Sequence, residues 1–222
     1  MPRTGLTGQG VRNRAIELTV RKIRDEGFEQ VRLIDIAKEV GVSHVALYLY
    51  FADKAALLDA VSEQWLSDLD EKLEQICRSS EPTEQRIRNY FLMLHRAKRE
   101  RVRLEPELYK AFSASSQMLK PFILRHLQSV EAQLLRLTRE ASQAELIITV
   151  SPEEATKLLL EATYRFTEPL LVQQMLAEDR EPHLDALVTA LVRGLGRTRA
   201  QLPSYTLSAA STALPAGALT PK

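Results

Sequence analysis

Residues 27–54 read GFEQVRLIDIAKEVGVSHVALYLYFADK. Leu33, Ile36, Ala37 and Val40 recur at helical spacing, and Gly41 is placed to end that helix in the left-handed conformation that glycine adopts without strain. Val42 follows. Ser43 then stands where a helix N-cap accepts from an orphan backbone N–H, and a second short helix is expected to run to about Phe51. Two helices over about 32–39 and 43–51 bury too little apolar surface to stand alone. With a first helix over residues 11–26, carrying Ile16, Val20 and Ile23 on one face and closed by Gly27, they form a three-helix unit. The pattern is that of a helix-turn-helix, in which one short helix braces and the other lies in the DNA major groove.

Asp53 is a good N-cap for the next helix, which places Leu57, Leu58, Val61, Trp65, Leu69, Leu73 and Ile76 along one face. That helix is expected to run for about 25 residues, near 37 Å, long enough to join the N-terminal unit to everything downstream. Ser79, Ser80 and Pro82 break the chain, and Thr83 is the expected cap of a helix to about Arg99. Glu105-Pro106 starts a shorter helix, and Pro121 opens a long one ending near Leu146. Ser151-Pro152-Glu153-Glu154 combines a cap, proline at the first helical position and two acids at the positive end of the dipole. The helix it starts is expected to reach about Leu176 with a kink at Pro169, and a last helix spans about 182–197. The expectation is an all-α chain of about nine helices. It divides into a flexible basic arm over 1–10, a helix-turn-helix domain over 11–54, a bundle for ligand binding and dimerisation over 55–199, and a disordered tail over 200–222.

Composition agrees with this and narrows the function. The chain has 222 residues, 45% apolar and 27% charged, with eight glycines and one cysteine. Cys77 alone forms neither an internal disulfide nor a multi-cysteine metal site, and no apolar run approaches a membrane span. A cytoplasmic protein is expected, with no membrane partner. Net charge is +1, divided as +2 over residues 1–54 and −1 over the remainder. Arg3, Arg12 and Arg14 lie in an N-terminal stretch without an acid, which suits either a phosphate-tracking arm or a solvated tail. The four histidines show no His-Glu-x-x-His or Glu-x-x-His pairing, and no glycine-rich phosphate loop occurs. No catalytic residue, metal site or cofactor is therefore expected, and a helical-bundle enzyme is the weak alternative.

Gly27-Phe28, Ile36-Ala37, Val40-Gly41-Val42-Ser43, Leu47-Tyr48-Leu49-Tyr50-Phe51, Lys54 and Leu57-Leu58 together resemble the DNA-binding domain of the tetracycline-repressor (TetR) family. The motif covers about a quarter of the chain, and length and helix count extend the likeness to the rest. His44, Val45 and Ala46 form the first turn of the recognition helix, where side chains reach base edges. Ser43 precedes them. The resemblance implies that Tyr48 and Tyr50 meet phosphates. Lys54, among the free N–H groups of its helix start, is expected on a phosphate as well. Leu47 and Phe51 read as core. One departure stands out: the first short helix opens with Val31-Arg32-Leu33 where the family has Ser or Thr, and loss of that cap costs about 1 kcal/mol. Arg32 either reaches a phosphate itself or is solvated.

The resemblance also implies a homodimer on a palindromic double-stranded DNA operator, most simply as a repressor, with a small-molecule effector in the bundle. The last two helices would form a four-helix interface through Leu159, Phe166, Leu170, Leu184, Leu187, Val188, Leu191, Val192 and Leu195, although an intramolecular core suits the same pattern. Ala190, Gly194 and Gly196 would permit close helix approach. For the pocket, the candidate lining is Trp65, Phe91, His95, Tyr109, Phe112, Met118, Phe122, His126, Tyr164, Arg165 and Phe166, most of which also fit a plain core. A family member that works through a protein partner, with no effector and no cavity, is the other reading.

Overall fold

Thr7 opens the described chain, residues 7–196 of a computed structural model, by accepting the Gly10 N–H at 3.2 Å. Helix α1 (Gly8–Glu26) therefore begins three residues before the expected start, and residues 8–10 belong to it rather than to an arm. The expected arm residues 1–6 and the tail 200–222 lie outside the described residues. Gly27, at φ 91°, turns the chain into a 3-10 turn, Phe28–Gln30. Helix α2 (Leu33–Val40) ends as expected at Gly41, which sits at φ 81°, ψ 29°. The Val42 N–H reaches back to the Ala37 carbonyl and the Gly41 N–H to that of Lys38, a doubly bonded turn only a left-handed residue closes. The Ser43 hydroxyl accepts the Ala46 N–H, as its cap position requires. Helix α3 (His44–Tyr48) is only five residues, shorter than expected, and closes in a turn in which the Tyr50 and Phe51 N–H groups both bond the Leu47 carbonyl. Val11, Ile16, Ile36, Leu47 and Phe51 are buried together in a head core.

Asp53 caps α4 (Lys54–Arg78) through the Ala56 N–H at 2.7 Å. This helix serves two cores: Leu57, Leu58 and Val61 complete the head, while Leu69, Leu73 and Cys77 enter the bundle. A boundary at residue 54 thus falls at the start of a shared helix. Helix α5 (Thr83–Leu104) corrects the cap expected at Thr83. The Pro82 carbonyl takes the first intrahelical bond, so Thr83 lies inside the first turn and its hydroxyl accepts from Arg86 instead. Helices α6 (Pro106–Gln117), α7 (Pro121–Gln143) and α8 (Pro152–Thr167) each start with proline at the first position. Ser151 caps α8 through the Glu154 N–H at 3.1 Å.

Pro169 breaks the next helix rather than kinking it. Glu168, forced toward extended geometry by the following ring, sits at ψ 127° and caps a new helix α9 (Pro169–Gln174) by accepting the Leu171 N–H at 2.9 Å. The chain closes with α10 (Glu181–Leu195), giving ten α-helices among the described residues where about nine were expected. In the bundle α4 packs against α5 and α7, and α10 against α5 and α8. No described helix is long and apolar enough to cross a membrane.

Candidate nucleic-acid interface and bundle cavity

Capping at Ser43 and burial of Leu47 and Phe51 fix how α3 faces. Ser43, His44, Val45, Tyr48 and Tyr50 are exposed, and Ala46 is partly so. The His44 and Tyr48 rings meet edge-on with centroids 4.4 Å apart, one helical turn apart on the outward face. Val45 is 74% exposed and Leu49 is 83% exposed. Such an apolar, aromatic strip left in water is suited to a surface with thymine methyls and phosphates. The Tyr50 hydroxyl lies against the N-terminus of α1, where a Cβ on Gly8 would approach it to 3.0 Å.

The cations of the head are distributed unevenly. Arg12 pairs with Glu63, Arg14 with Glu17, and Arg21 and Lys22 with Glu39. Arg32, exposed at the uncapped start of α2, has no carboxylate partner among the described residues. Lys54 departs from its expected place. Its ammonium donates to the Phe28 carbonyl at 2.7 Å and stands 4.4 Å from the centre of the Phe28 ring, so it ties α4 to the turn after α1. The helix start and the preceding turn are close enough to capture the charge internally.

Most residues expected at a dimer face are committed inside the protomer. Leu159, Phe166, Leu184, Val188 and Val192 are buried in the main core, because α8 and α10 turn their leucine-rich stripes toward α5 and α7. Leu187, Leu191 and Leu195 are partly buried at its margin, and Leu170 is exposed. The outward face of α10 is instead small: Ala186, Ala190 and Gly194 are exposed, and a Cβ on Gly194 would meet nothing within 4 Å. Gly196 serves a different end, since a Cβ there would lie 2.6 Å from the Leu146 carbonyl oxygen.

A cavity of about 570 Å³ opens between α5, α6, α7 and the α8–α9 break. Of the expected lining, Phe112, His126 and Tyr164 are present; Trp65, Phe91, His95, Tyr109, Met118, Phe122, Arg165 and Phe166 are not. Trp65 and Tyr109 meet each other and Phe112 edge-on in a small core that also holds Phe122, and Phe91 is buried in the main one. The residues missed include Lys98, Ser116, Gln117 and Thr167. Lys98 lies in the basic run Arg96, Lys98, Arg99, Arg101, Arg103, a pattern that by itself suits a solvated helix end, yet it is only 5% exposed.

The break at Pro169 explains what Lys98 does. With Leu171 N–H turned to the Glu168 side chain, the carbonyls of the last turn of α8 lose their helical donors. His95 and Lys98, one turn apart on α5, replace them: His95 Nδ1 bonds the Phe166 carbonyl at 2.8 Å and the Lys98 ammonium donates to that of Thr167. Burial lowers the His95 pKa, and burial lowers that of Lys98 to about 8. On the far wall His126 Nδ1 meets Asp70 of α4 at 2.6 Å. Burial lowers its pKa despite that partner, which fits a neutral ring donating to the carboxylate. No group of three or more potential metal ligands occurs among the described residues.

The model of the bacterial regulatory proteins of the tetR family matches residues 15–61, and that of the tetracyclin repressor-like C-terminal domain matches residues 83–188. No curated protein matches the chain. Among solved structures, a TetR/AcrR-family transcriptional regulator of Thermobifida fusca YX-ER1 is 19% identical with a TM-score of 0.59, over 84% of this chain and 98% of its own. A protein of unknown function from Rhodococcus sp. RHA1 is 22% identical with a TM-score of 0.60, over 89% and 100%. RolR bound to resorcinol is 18% identical with a TM-score of 0.57, over 87% and 91%. At these identities the structures share the fold. The two family models, head and bundle together, place the chain in the TetR family, whose members are generally DNA-binding transcription regulators.

Proposed function

We propose that this chain is a homodimeric transcriptional repressor that holds a palindromic operator and is released from it by a small molecule in the bundle cavity. The observation that carries the reading is the path of α6. At one end it contributes Phe112, Ser116 and Gln117 to the cavity wall. At the other, Leu108 is buried in the head core, and Glu105 just before it pairs with Arg24 of α1. Asp59 of α4 adds a second tie, accepting from Ser115 at 2.8 Å and from Lys120 at 2.5 Å. A ligand that displaces α6 is therefore felt by the helix that orients the head. Two copies joined by the small-residue face of α10 and the outer face of α8 would set two α3 helices at the half-site spacing of about 34–36 Å. To switch such a dimer nearly completely, the effector must prefer the DNA-free conformer by about 5.5 kcal/mol. A protein-partner reading without an effector would be favoured by a bundle with no cavity. RolR, of the same fold, was solved with a small ligand.

The test is an anisotropy titration of the protein with DNA flanking its own coding region, beside sedimentation of the free protein. Sequence-dependent binding by a dimer is expected. Equal affinity for scrambled DNA, or a monomer at binding concentrations, would overturn the proposal.

A further inference from the structure

We infer, resting on the reading of the cavity as an effector site, that its ligand is an apolar carboxylate whose head group is held by Lys98. The cavity has a charged floor and an apolar wall. Leu94, Ile123, Val130, Leu160 and Pro169 supply hydrocarbon, and its volume of about 570 Å³ falls within the range that encloses a drug-sized molecule. Lys98 is buried and has no carboxylate within ion-pair distance among the described residues. It donates to one neutral carbonyl, that of Thr167, which leaves ammonium N–H groups without an acceptor among the described residues on a side chain that lines the cavity.

The carboxylates nearby are committed elsewhere. Glu168 accepts the Leu171 N–H as the cap of α9, Asp70 holds His126, and Glu131 is exposed at the rim. A buried ammonium without a counter-ion is costly to keep, and the depressed pKa of Lys98, about 8, is the mark of that cost. A ligand carboxylate at this point restores the missing partner through a charge-assisted hydrogen bond while its hydrocarbon covers the apolar wall. A neutral ligand leaves the cation unpaired, and a cationic one adds a like charge beside it.

The experiment measures calorimetric binding of decanoate, decanol and decylammonium to the full chain, and to Lys98→Gln, which keeps a donor near the Thr167 carbonyl without the charge. Decanoate is expected to bind the wild type at least about tenfold more tightly than decanol, with decylammonium weakest. In Lys98→Gln the carboxylate preference is expected to vanish while decanol binding is retained. Leu160→Trp, which fills the cavity, is expected to weaken decanoate and decanol alike. Equal binding of decanoate and decanol by the wild type, tightest binding of decylammonium, no binding of any of the three, or a carboxylate preference that survives in Lys98→Gln would each overturn the inference. Operator release is read separately by anisotropy. Decanoate that binds through Lys98 without releasing DNA would sink the effector reading and leave the ligand class standing.

Discussion

Arg24, in the last turn of α1, donates its Nε to Oε1 of Glu105 at 2.6 Å, across 81 positions of sequence. Glu105 is 3% exposed and occupies the junction of α5 and α6. Its other oxygen lies against the Arg101 guanidinium as an ion pair without hydrogen-bond alignment, and Arg101 in turn stands 5.4 Å from the Trp65 ring. One buried carboxylate thus joins the head to the bundle between two arginines.

Removing that charge leaves Arg101, a half-buried cation, without its partner. We expect Glu105→Gln to lower stability by about 2 kcal/mol in urea unfolding, less than a fully buried pair would because Arg24 is half solvated. Amide exchange in the last turn of α1 is expected to speed up more than exchange in α7. Uniform loosening of both would mean that Glu105 supports the bundle alone.

Lys54 and Arg32 separate two ways of weakening DNA binding. Since the Lys54 ammonium is engaged with the Phe28 carbonyl and ring, Lys54→Ala is expected to cost about 1 kcal/mol of stability. It should reduce affinity for all sequences with the salt dependence unchanged. Arg32→Ala should flatten the salt dependence by about one unit, and His44→Ala should alter sequence preference. A flattened slope in Lys54→Ala would place that ammonium on a phosphate instead.

The pKa of Lys98 is about 8 in the folded chain against 10.5 for a free lysine. Between those values the unfolded chain holds the extra proton, so this residue makes stability rise with pH. Below pH 8 it imposes a penalty on the order of 3 kcal/mol relative to an unshifted lysine. Lys98→Met removes the penalty, and its stability relative to wild type is expected to be greatest near pH 7 and to fall by about pH 10. Asp70 and Glu168 oppose the lowering of the Lys98 pKa, and Lys98 in turn helps to lower that of His126, so the comparison is read between pH 8 and 10.5, above the range of carboxylates and imidazoles. A difference flat in pH would show that Lys98 titrates normally.

Gly196 is required where α10 ends against the turn after α7. The Ile148 and Thr149 N–H groups both bond the Leu195 carbonyl there, and a Cβ on residue 196 would lie 2.6 Å from the Leu146 oxygen. Gly196→Ala should lower stability by about 1–3 kcal/mol by forcing that backbone apart. Gly194→Ala, in open space, should be near neutral in the monomer. Thermal unfolding of the two variants side by side checks the contrast.

What could be read from sequence was local. Gly41, Ser43, Asp53 and Ser151 mark helix ends because capping depends on residues three or four apart, and each performs that role. Leu47 and Phe51 inward with His44 and Val45 outward follows from helical periodicity over one turn. The family follows from the same short stretch.

What tertiary structure decided was the destination of groups whose local surroundings are ambiguous. Periodicity shows that α8 and α10 carry broad apolar stripes, but not that Leu184, Val188 and Val192 face α5 rather than a second copy. Lys98 reads as one cation of a basic run and Lys54 as a phosphate contact in sequence, and they become a pocket floor and an internal strut because carbonyls distant in the chain fold against them. Pro169 announces an interruption, yet whether it kinks or breaks depends on partners for the freed carbonyls, and those come from α5, about 70 residues earlier. Short-range hydrogen bonds are encoded in adjacent residues; the partners of buried charges are set only when distant helices meet.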